Sequence, residues 1–498
     1  MILDFFKKRE TPKAQKSAIV TIKPQNYAGA GNNNLTYNWT SYKYTSDQII
    51  EKFLPALVAR SCEQCMNNPY ASRYLQLLGD NVIGDNGIML QAQAKDANGK
   101  LDQVANQAQE KAWEEWQKAE NCDVTGKLDF ITMSKLVLTT VAREGEALIR
   151  ICKGKSVNNW GFALQLIDPR RLDINKNQLN RENGNFIRFG IEFNQYGKPL
   201  NYYIKKDIDG YYSEVSGNNH YIIPADEIIH LFLPQYVDQK RGLPWYSNVL
   251  LRMNMLNGFE EAAVAHARAG ACQMGFITNN DPDAYEDDDD KDKDLGIDID
   301  ATPASFHELP PGYDVKKYDP AYPNGEFDVF SKSILRSIAV GLNSGYSSIS
   351  GDLSSVNFSS LRQGILDERE VWKGLQKWFK TNFTERVHGA WLKFSLLASR
   401  IKCGNGFLKP ERYEKYKDVT WTMRRWSWVD PVKDVNSAAI SVQNGFRSRS
   451  DVIREQGRDP QEVWTEIEKE NEEIRAKGIL VKSEVINDVS EDDENTKK

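Results

Sequence analysis

Aspartate supplies the densest concentration of reactive groups in this 498-residue chain: Asp287 to Asp290 are consecutive, and Asp292, Asp294, Asp298 and Asp300 follow closely. Carboxylates in such number could hold divalent cations and support metal-dependent cleavage of phosphodiesters. A hard-cation site, however, needs oxygens converging from a fixed frame, and a run of like charges repels itself and stays solvated. A solvated loop is the simpler reading, with a metal-dependent nuclease on Asp287–Asp300 as the alternative. Other catalytic patterns are weaker. Lys153-Gly-Lys-Ser156 ends like a phosphate-binding loop, but the glycine required five residues before Gly154 is Ile149, so no P-loop is present. Cys62 and Cys65 have the spacing of half a zinc site or a redox pair, yet no second pair lies within reach and the surrounding pattern is helical. None of the five histidines (220, 230, 266, 307, 388) forms a nucleophile pattern with serine or cysteine. The chain reads as non-enzymatic, without cofactor or metal.

Residues 344–360 offer gentler chemistry. Eight of these seventeen residues are serine and Asp352 is the only charged one. Many weak hydrogen-bonding groups and almost no point charge can touch a polyanion without gripping it. A loop of this length inside a compact fold is usually functional or disordered. Its position between two helical patterns favours function.

These groups need a scaffold, and 40 % hydrophobic residues with 11 % aromatics suffice for real cores in two to four domains. The net charge of −6 is uneven: residues 281–300 hold eleven Asp/Glu against two Lys, or −9, leaving +3 elsewhere. Charges at Asp4, Lys7 and Lys8 break any secretory signal, no apolar run approaches the roughly 18 residues of a membrane span, and six scattered cysteines suit a reducing compartment. Residues 1–45 read as a flexible arm. Helices are expected at 46–66, 70–79, 101–120 and 127–143, and strands at 146–152 and 162–167. Alternation of Ile187, Phe189, Ile191 and Phe193 predicts one strand over 186–194, followed by strands at 200–205, 221–223 and 228–233. Helix returns at 244–274, where small residues including Ala263, Ala267, Gly270 and Ala271 would let helices approach closely, although alanine's helix propensity explains the same run. The proline-bearing segment 276–325 implies loops and short strands. Helices follow at 326–342 and 361–400; unbroken, the latter would span about 60 Å, with Gly364, Gly374 and Gly389 as places to bend. Helices at 434–443, 449–456 and 460–477 precede an acidic tail. The fold class is α+β, mainly helical.

His230-Leu-Phe-Leu-Pro234, Gln239-Lys-Arg-Gly-Leu-Pro-Trp245, Phe259-Glu-Glu-Ala-Ala263, Ala265-His-Ala-Arg268 and Gly275-Phe-Ile277 together resemble the central signature of lambda-type portal proteins of tailed bacteriophages. Asn68-Pro69 through Val82-Ile-Gly84, Arg143-Glu-Gly-Glu-Ala147, Asp168-Pro-Arg-Arg-Leu172, Asn357-Phe-Ser-Ser-Leu-Arg362, Asp430-Pro-Val-Lys-Asp434 and Glu455-Gln-Gly-Arg-Asp459 extend the resemblance over roughly residues 50–480.

The resemblance implies a portal fold assembling into a dodecameric ring around a DNA channel at one capsid vertex. Its regions would be a wing (46–240), a stem helix (241–275), a clip with an acidic insertion (276–325), a second stem helix (326–343) and a tunnel loop (344–360). A long wing helix (361–400), a wing return with helical crown (401–480) and an acidic tail (481–498) would follow. It also implies passage of double-stranded DNA without sequence specificity. Implied partners are the terminase large subunit, the major capsid and scaffolding proteins and a neck or tail adaptor. The expected location is the virion, with the host cytoplasm during assembly, and no membrane. Ser344, Tyr346, Ser347, Ser348, Ser350, Ser354, Ser355 and Asn357 become channel-loop candidates; Lys332, Arg336 and Arg362 are candidates for transient phosphate contacts, or salt-bridge residues; Ala263, Ala267, Gly270 and Ala271 would pack subunits. A head-tail adaptor without a channel is a further alternative.

Overall fold

The computed structural model describes residues 43–179, 184–206, 220–271, 275–279, 313–317, 326–354, 357–426, 431–456 and 458–477. Residues 1–42 of the expected arm, the acidic tail and the whole Asp287–Asp300 run lie outside them.

Local capping sets the first helices. Helix α1 (Ser46–Asn67) starts at a capping box in which the Thr45 hydroxyl accepts from Gln48 N–H and the Gln48 side chain accepts from Thr45 N–H. Asn68 then serves two helices, donating its N–H to Gln64 O and capping α2 (Pro69–Leu78) through Oδ1, with Pro69 at the first helical position. A wide π turn, Gly79–Ile83, leads to strand β1 (Met89–Ala92). The single helix expected at 101–120 is two, α3 (Gln103–Trp116) and α4 (Ala119–Cys122), and the helix expected at 127–143 starts later, as α5 (Phe130–Glu144) behind an Asp129 cap.

Period-two patterning then yields β2 (Glu146–Lys153) and β3 (Phe162–Ile167), followed by β4 (Phe186–Arg188), β5 (Ile191–Phe193), β6 (Pro199–Lys205), β7 (His220–Pro224) and β8 (Ile228–Phe232). They form two antiparallel sheets, ordered β3-β2-β8 and β4-β5-β6-β7. The expected strand over 186–194 is instead a hairpin, with Phe186 opposite Phe193 and Arg188 opposite Ile191. Its two-residue loop, Phe189 at φ +53° and Gly190 at φ +80°, matches the mirror-image turn favoured by strand twist. Phe189 endures the left-handed conformation because its ring is fully buried in a cluster with Ile50, Leu54 and Leu243.

Helix α6 (Leu250–Ala271) and α7 (Glu326–Gly341) run antiparallel, and beyond them β9 (Gly275–Asn279) pairs antiparallel with β10 (Tyr313–Lys317). After the short α8 (Tyr346–Ser350), α9 (Phe358–Phe379) passes through a π turn, Lys380–Thr384, into α10 (Glu385–Leu397). The long helix therefore exists, and its irregularity falls at the π turn, not at Gly364, Gly374 or Gly389, all of which remain α-helical. The chain finishes with β11 (Lys402–Cys403), β12 (Gly406–Phe407), α11 (Tyr413–Tyr416), β13 (Val419–Thr422), α12 (Pro431–Gln443), α13 (Arg449–Glu455) and α14 (Pro460–Lys477). Strand β13 pairs with β1 across the chain, Leu90 opposite Trp421.

The main core joins α3, α5, β3 and the long helix. Trp113 stacks on Trp116 at 4.9 Å and meets Trp391 edge-on at 4.9 Å, while Phe130 stacks on Phe383 at 5.7 Å. Large aromatic rings buried in these geometries contribute beyond their area. His388 sits among them, and burial lowers its pKa to about 4.

Candidate functional site

Four sequence motifs, at 143–147, 168–172, 230–234 and 239–245, meet at one buried clasp. Gly145, at φ +93°, and Gly242 bring two backbones together so closely that a Cβ on Gly145 would stand 2.6 Å from Leu243 C, and one on Gly242 would overlap the Gly145 carbonyl. That crossing delivers Glu146 to Arg241. The guanidinium Nε donates to both carboxylate oxygens, at 2.7 and 2.9 Å, and Gly242 N–H donates to Oε2 at 3.0 Å. His230 Nε2 lies 3.0 Å from the same oxygen. Arg241 also donates to the carbonyls of Phe189 (3.2 Å), Leu172 (3.3 Å) and Pro169 (3.5 Å). Burial by itself would push the Glu146 carboxyl up; the Arg241 charge and the His230 contact outweigh it and hold the pKa at about 2. With Glu146 2 % and Arg241 4 % exposed, removing either partner strands a buried charge, typically a loss of about 3–5 kcal/mol. The clasp fixes α5, β2, the Asp168–Leu172 turn and the approach to α6 in one frame.

From that frame α6 and α7 project as a pair. Asn248 Nδ2 donates to Gly341 O at 2.9 Å, Arg252 donates to the Ser337 hydroxyl, and Phe259 packs on Phe327 and Phe330 at 5.3 and 5.1 Å. A side chain at Gly341 would collide with Val249, so this end of the pair requires glycine. Asn68 ties α6 to α1 and α2 by donating to Asn257 Oδ1 at 2.7 Å. Among the small residues of α6, Ala263 is buried within the subunit and Ala267 is exposed; Gly270 and Ala271 continue the helix, with surroundings outside the described residues. The sides of the pair also carry exposed apolar groups, Leu251 (72 %), Met255 and Val264 on α6, Val329 and Val340 (75 %) on α7.

The serine-rich segment between α7 and α9 is less of a loop than its composition implies. Residues 346–350 form α8, and α9 begins at Phe358, not 361. Glu368 of α9 clamps its entrance: Oε1 accepts from the Ser344 hydroxyl at 2.5 Å and from Gly345 N–H at 2.9 Å, and Oε2 accepts from the Ser348 hydroxyl at 2.7 Å. Asp352 organises the far side, accepting from the Tyr346 hydroxyl (3.0 Å) and from the Ser354 hydroxyl (2.6 Å) and N–H (2.9 Å), while Ser350 Oγ donates to Tyr346 O at 2.8 Å. Those bonds, Ser354's first, hold the Asp352 carboxyl well below the usual range. Four of the candidate serines thus engage the loop itself or Glu368. Ser347 lies in α8, Asn357 caps α9 by accepting from Ser360 N–H at 2.8 Å, and Ser355 lies outside the described residues.

The three candidate cations are also engaged. Lys332 Nζ is 2.8 Å from Asp328 and 3.4 Å from Asp352, Arg362 is 3.2 Å from Asp434, and the Arg336 guanidinium lies over the Tyr346 ring at 5.5 Å. Cys62 and Cys65 both sit on α1, where burial raises the Cys65 thiol to about 11. Among the described residues no group of His, Cys, Asp or Glu is arranged to hold a metal ion, and no helix is long and apolar enough to cross a membrane. Sequence reasoning missed Glu368, one of three acids in the Asp367–Glu370 stretch of a helical pattern, and the Glu146–Arg241 pair; the glycines beside the latter were the available signal.

The family model described as phage portal protein, lambda family, matches residues 32–376. The chain is 33 % identical over 478 residues to a probable portal protein of Halomonas phage phiHAP-1, covering 94 % of this chain and 90 % of the relative. It is 22 % identical over 490 residues to portal protein B of Escherichia phage lambda, covering 91 % of each. Among solved structures it is similar to a chain in the neck of an empty gene transfer agent particle, with 14 % identity, a TM-score of 0.46, and coverage of 84 % of this chain and 95 % of that one. The buried clasp is assembled from the same residues that carried the sequence resemblance, and with the match spanning most of its length this chain belongs to the lambda family of phage portal proteins, head-to-tail connectors of the virion.

Proposed function

We propose that copies of this chain close into a dodecameric ring at one vertex of the phage head and that double-stranded DNA passes through the bore without sequence readout. In this reading 46–240 and the long helix form the wing, 241–275 and 326–343 the stem, 276–325 the clip, 344–360 the tunnel loop and 401–480 the wing return and crown. The terminase large subunit docks near the clip during packaging and a neck or tail adaptor replaces it. Major capsid and scaffolding proteins surround the ring, which assembles in the host cytoplasm.

The observation that carries the reading is the set of exposed apolar side chains on the α6–α7 pair, Leu251, Met255 and Val264 on α6 and Val329 and Val340 on α7. Large apolar side chains left exposed on both helices of a projecting pair support a surface that another chain covers. The engaged state of Lys332, Arg336 and Arg362 supports the rest. Each phosphate neutralised by a free cation releases counterions and deepens binding, so cations held by their own subunit leave a duplex free to slide.

Electron microscopy of the purified protein tests the assembly: rings with a central hole are expected. A compact monomer under assembly conditions overturns the proposal, and a closed particle without a bore favours the adaptor. Divalent-ion-dependent DNA cleavage abolished by Asp288→Ala would favour the nuclease. Deleting 347–357 should leave rings intact and impair packaging or retention of DNA; normal packaging removes the loop from the mechanism.

A further inference from the structure

Between α9, the segment Met423–Trp426 and the C-terminal helices lie two adjoining cavities, of about 330 and 420 Å³, that share Arg369, Arg425 and Trp426. Their charges do not balance. In the first, every lining carboxylate already has a cation: Asp434 meets Arg362 at 3.2 Å, Glu370 meets Lys373 at 2.5 Å, and Glu455 meets Arg447 at 2.7 Å. In the second, the one lining carboxylate, Asp85, lies 3.7 Å from Lys135. Arg424 and Arg425 form no ion pair among the described residues, and the Nε atom of each is buried without an acceptor. Arg369 lies against the Trp426 ring at 5.6 Å, and burial and the Arg424 charge lower its pKa against the opposing pull of the Asp434 carboxylate. Crowded guanidiniums with buried, unused donors mark a site built for an anion that the described residues do not supply.

We propose that this cleft binds the chain's own acidic C-terminal stretch, Glu484–Glu494, in an intramolecular latch. That stretch carries Glu484, Asp488, Glu491, Asp492, Asp493 and Glu494 and no cation, so its charge complements the cleft. The connection is short. Helix α13 supplies Glu455 and Gln456 follows it at the cleft wall, and α14 leads away for 18 residues, about 27 Å at 1.5 Å per residue. The thirteen residues 478–490 can return about 44 Å when extended, enough to bring the acidic cluster back. Carboxylates there would offset the guanidinium charges of Arg424 and Arg425 and separate those of Arg369 and Arg424. The latch would hold α13 and α14 against the long helix.

The test uses a fluorescein-labelled peptide of residues 478–498 and fluorescence anisotropy in 50 mM NaCl. The chain ending at Lys477, which keeps every described element, should bind the peptide saturably. The full-length chain should bind it at least tenfold more weakly, because its own tail occupies the cleft. Arg424→Glu/Arg425→Glu in the shortened chain should weaken binding at least tenfold, and Arg424→Gln/Arg425→Gln, which avoids new charge repulsion, should weaken it at least threefold with an unchanged thermal transition. Equal binding by full-length and shortened chains, or binding indifferent to both double substitutions, would overturn the latch. Displacement of the peptide by stoichiometric duplex DNA would overturn it as well, giving the cleft to nucleic acid.

Discussion

Replacing Glu368 by alanine isolates what holds the serine-rich segment in shape. One carboxylate accepts three hydrogen bonds there, from Ser344 Oγ, Gly345 N–H and Ser348 Oγ. Bonds to a charged group contribute about 1.5–3 kcal/mol each, but the site is half-buried and the freed donors can turn to water, so about 3 kcal/mol is expected in total. At 1.4 kcal/mol per factor of ten, local opening of α8 rises about 100-fold. Amide hydrogen exchange reads it directly: the N–H groups of Ser348, Ile349 and Gly351, bonded to Gly345 O and Ser347 O, should exchange about 100-fold faster, while amides within α9 beyond the first turn remain protected. Glu368→Gln keeps an acceptor oxygen without the charge and should fall between the two, near tenfold. Exchange at those three amides unchanged by Glu368→Ala would refute the clamp, since α8 would then owe its order to Ile349 burial and to the Asp352 and Ser350 hydrogen bonds.

The remaining expectations concern the clasp and the stem. Because the Glu146 carboxyl is held at about 2 in the folded chain and titrates near 4.5 when unfolded, its contribution, about 3 kcal/mol, is fully present above pH 5 and lost as pH falls from 4.5 toward 2; Glu146→Gln should flatten that part of the stability profile, as urea unfolding at pH 3 and 7 would reveal. Gly242→Ala places a methyl group on the Gly145 carbonyl and should cost at least about 3 kcal/mol, seen as a lowered thermal transition or insoluble protein. Ala267→Trp, at a position exposed in the subunit, should leave the subunit folded and disturb ring formation, whereas unchanged oligomer mass in sedimentation would count against α6 as a subunit contact.

Local signals made much of this chain legible in advance. Capping residues such as Thr45 and Asn68 act within three residues of themselves, so helix starts follow from short windows, although the start at Phe130 behind Asp129 was placed three residues early. The long helix from Phe358 to Leu397 was visible in its apolar period and the sheet region in its alternation, while the motif set that carries family membership is linear by nature. Alternation misled at Phe189, because a two-residue hairpin keeps residues 187, 189, 191 and 193 buried just as a single strand would; only the pairing partner distinguishes them.

What tertiary structure alone decided were relations between distant segments. Serine content indicated a soft, exposed loop, yet the hydroxyls of Ser344 and Ser348 are taken by Glu368 on the next helix. Lys332, Arg336 and Arg362 stood as candidates for phosphate contacts, and folding supplied each with a neighbour. The pairing of β1 with β13, and of Glu146 with Arg241, joins residues hundreds or nearly a hundred positions apart. Composition reports which groups a chain owns, and local periodicity reports which face each element buries. Whether a hydroxyl or a charge remains available depends on partners brought close by packing, and that proximity is a property of the closed core.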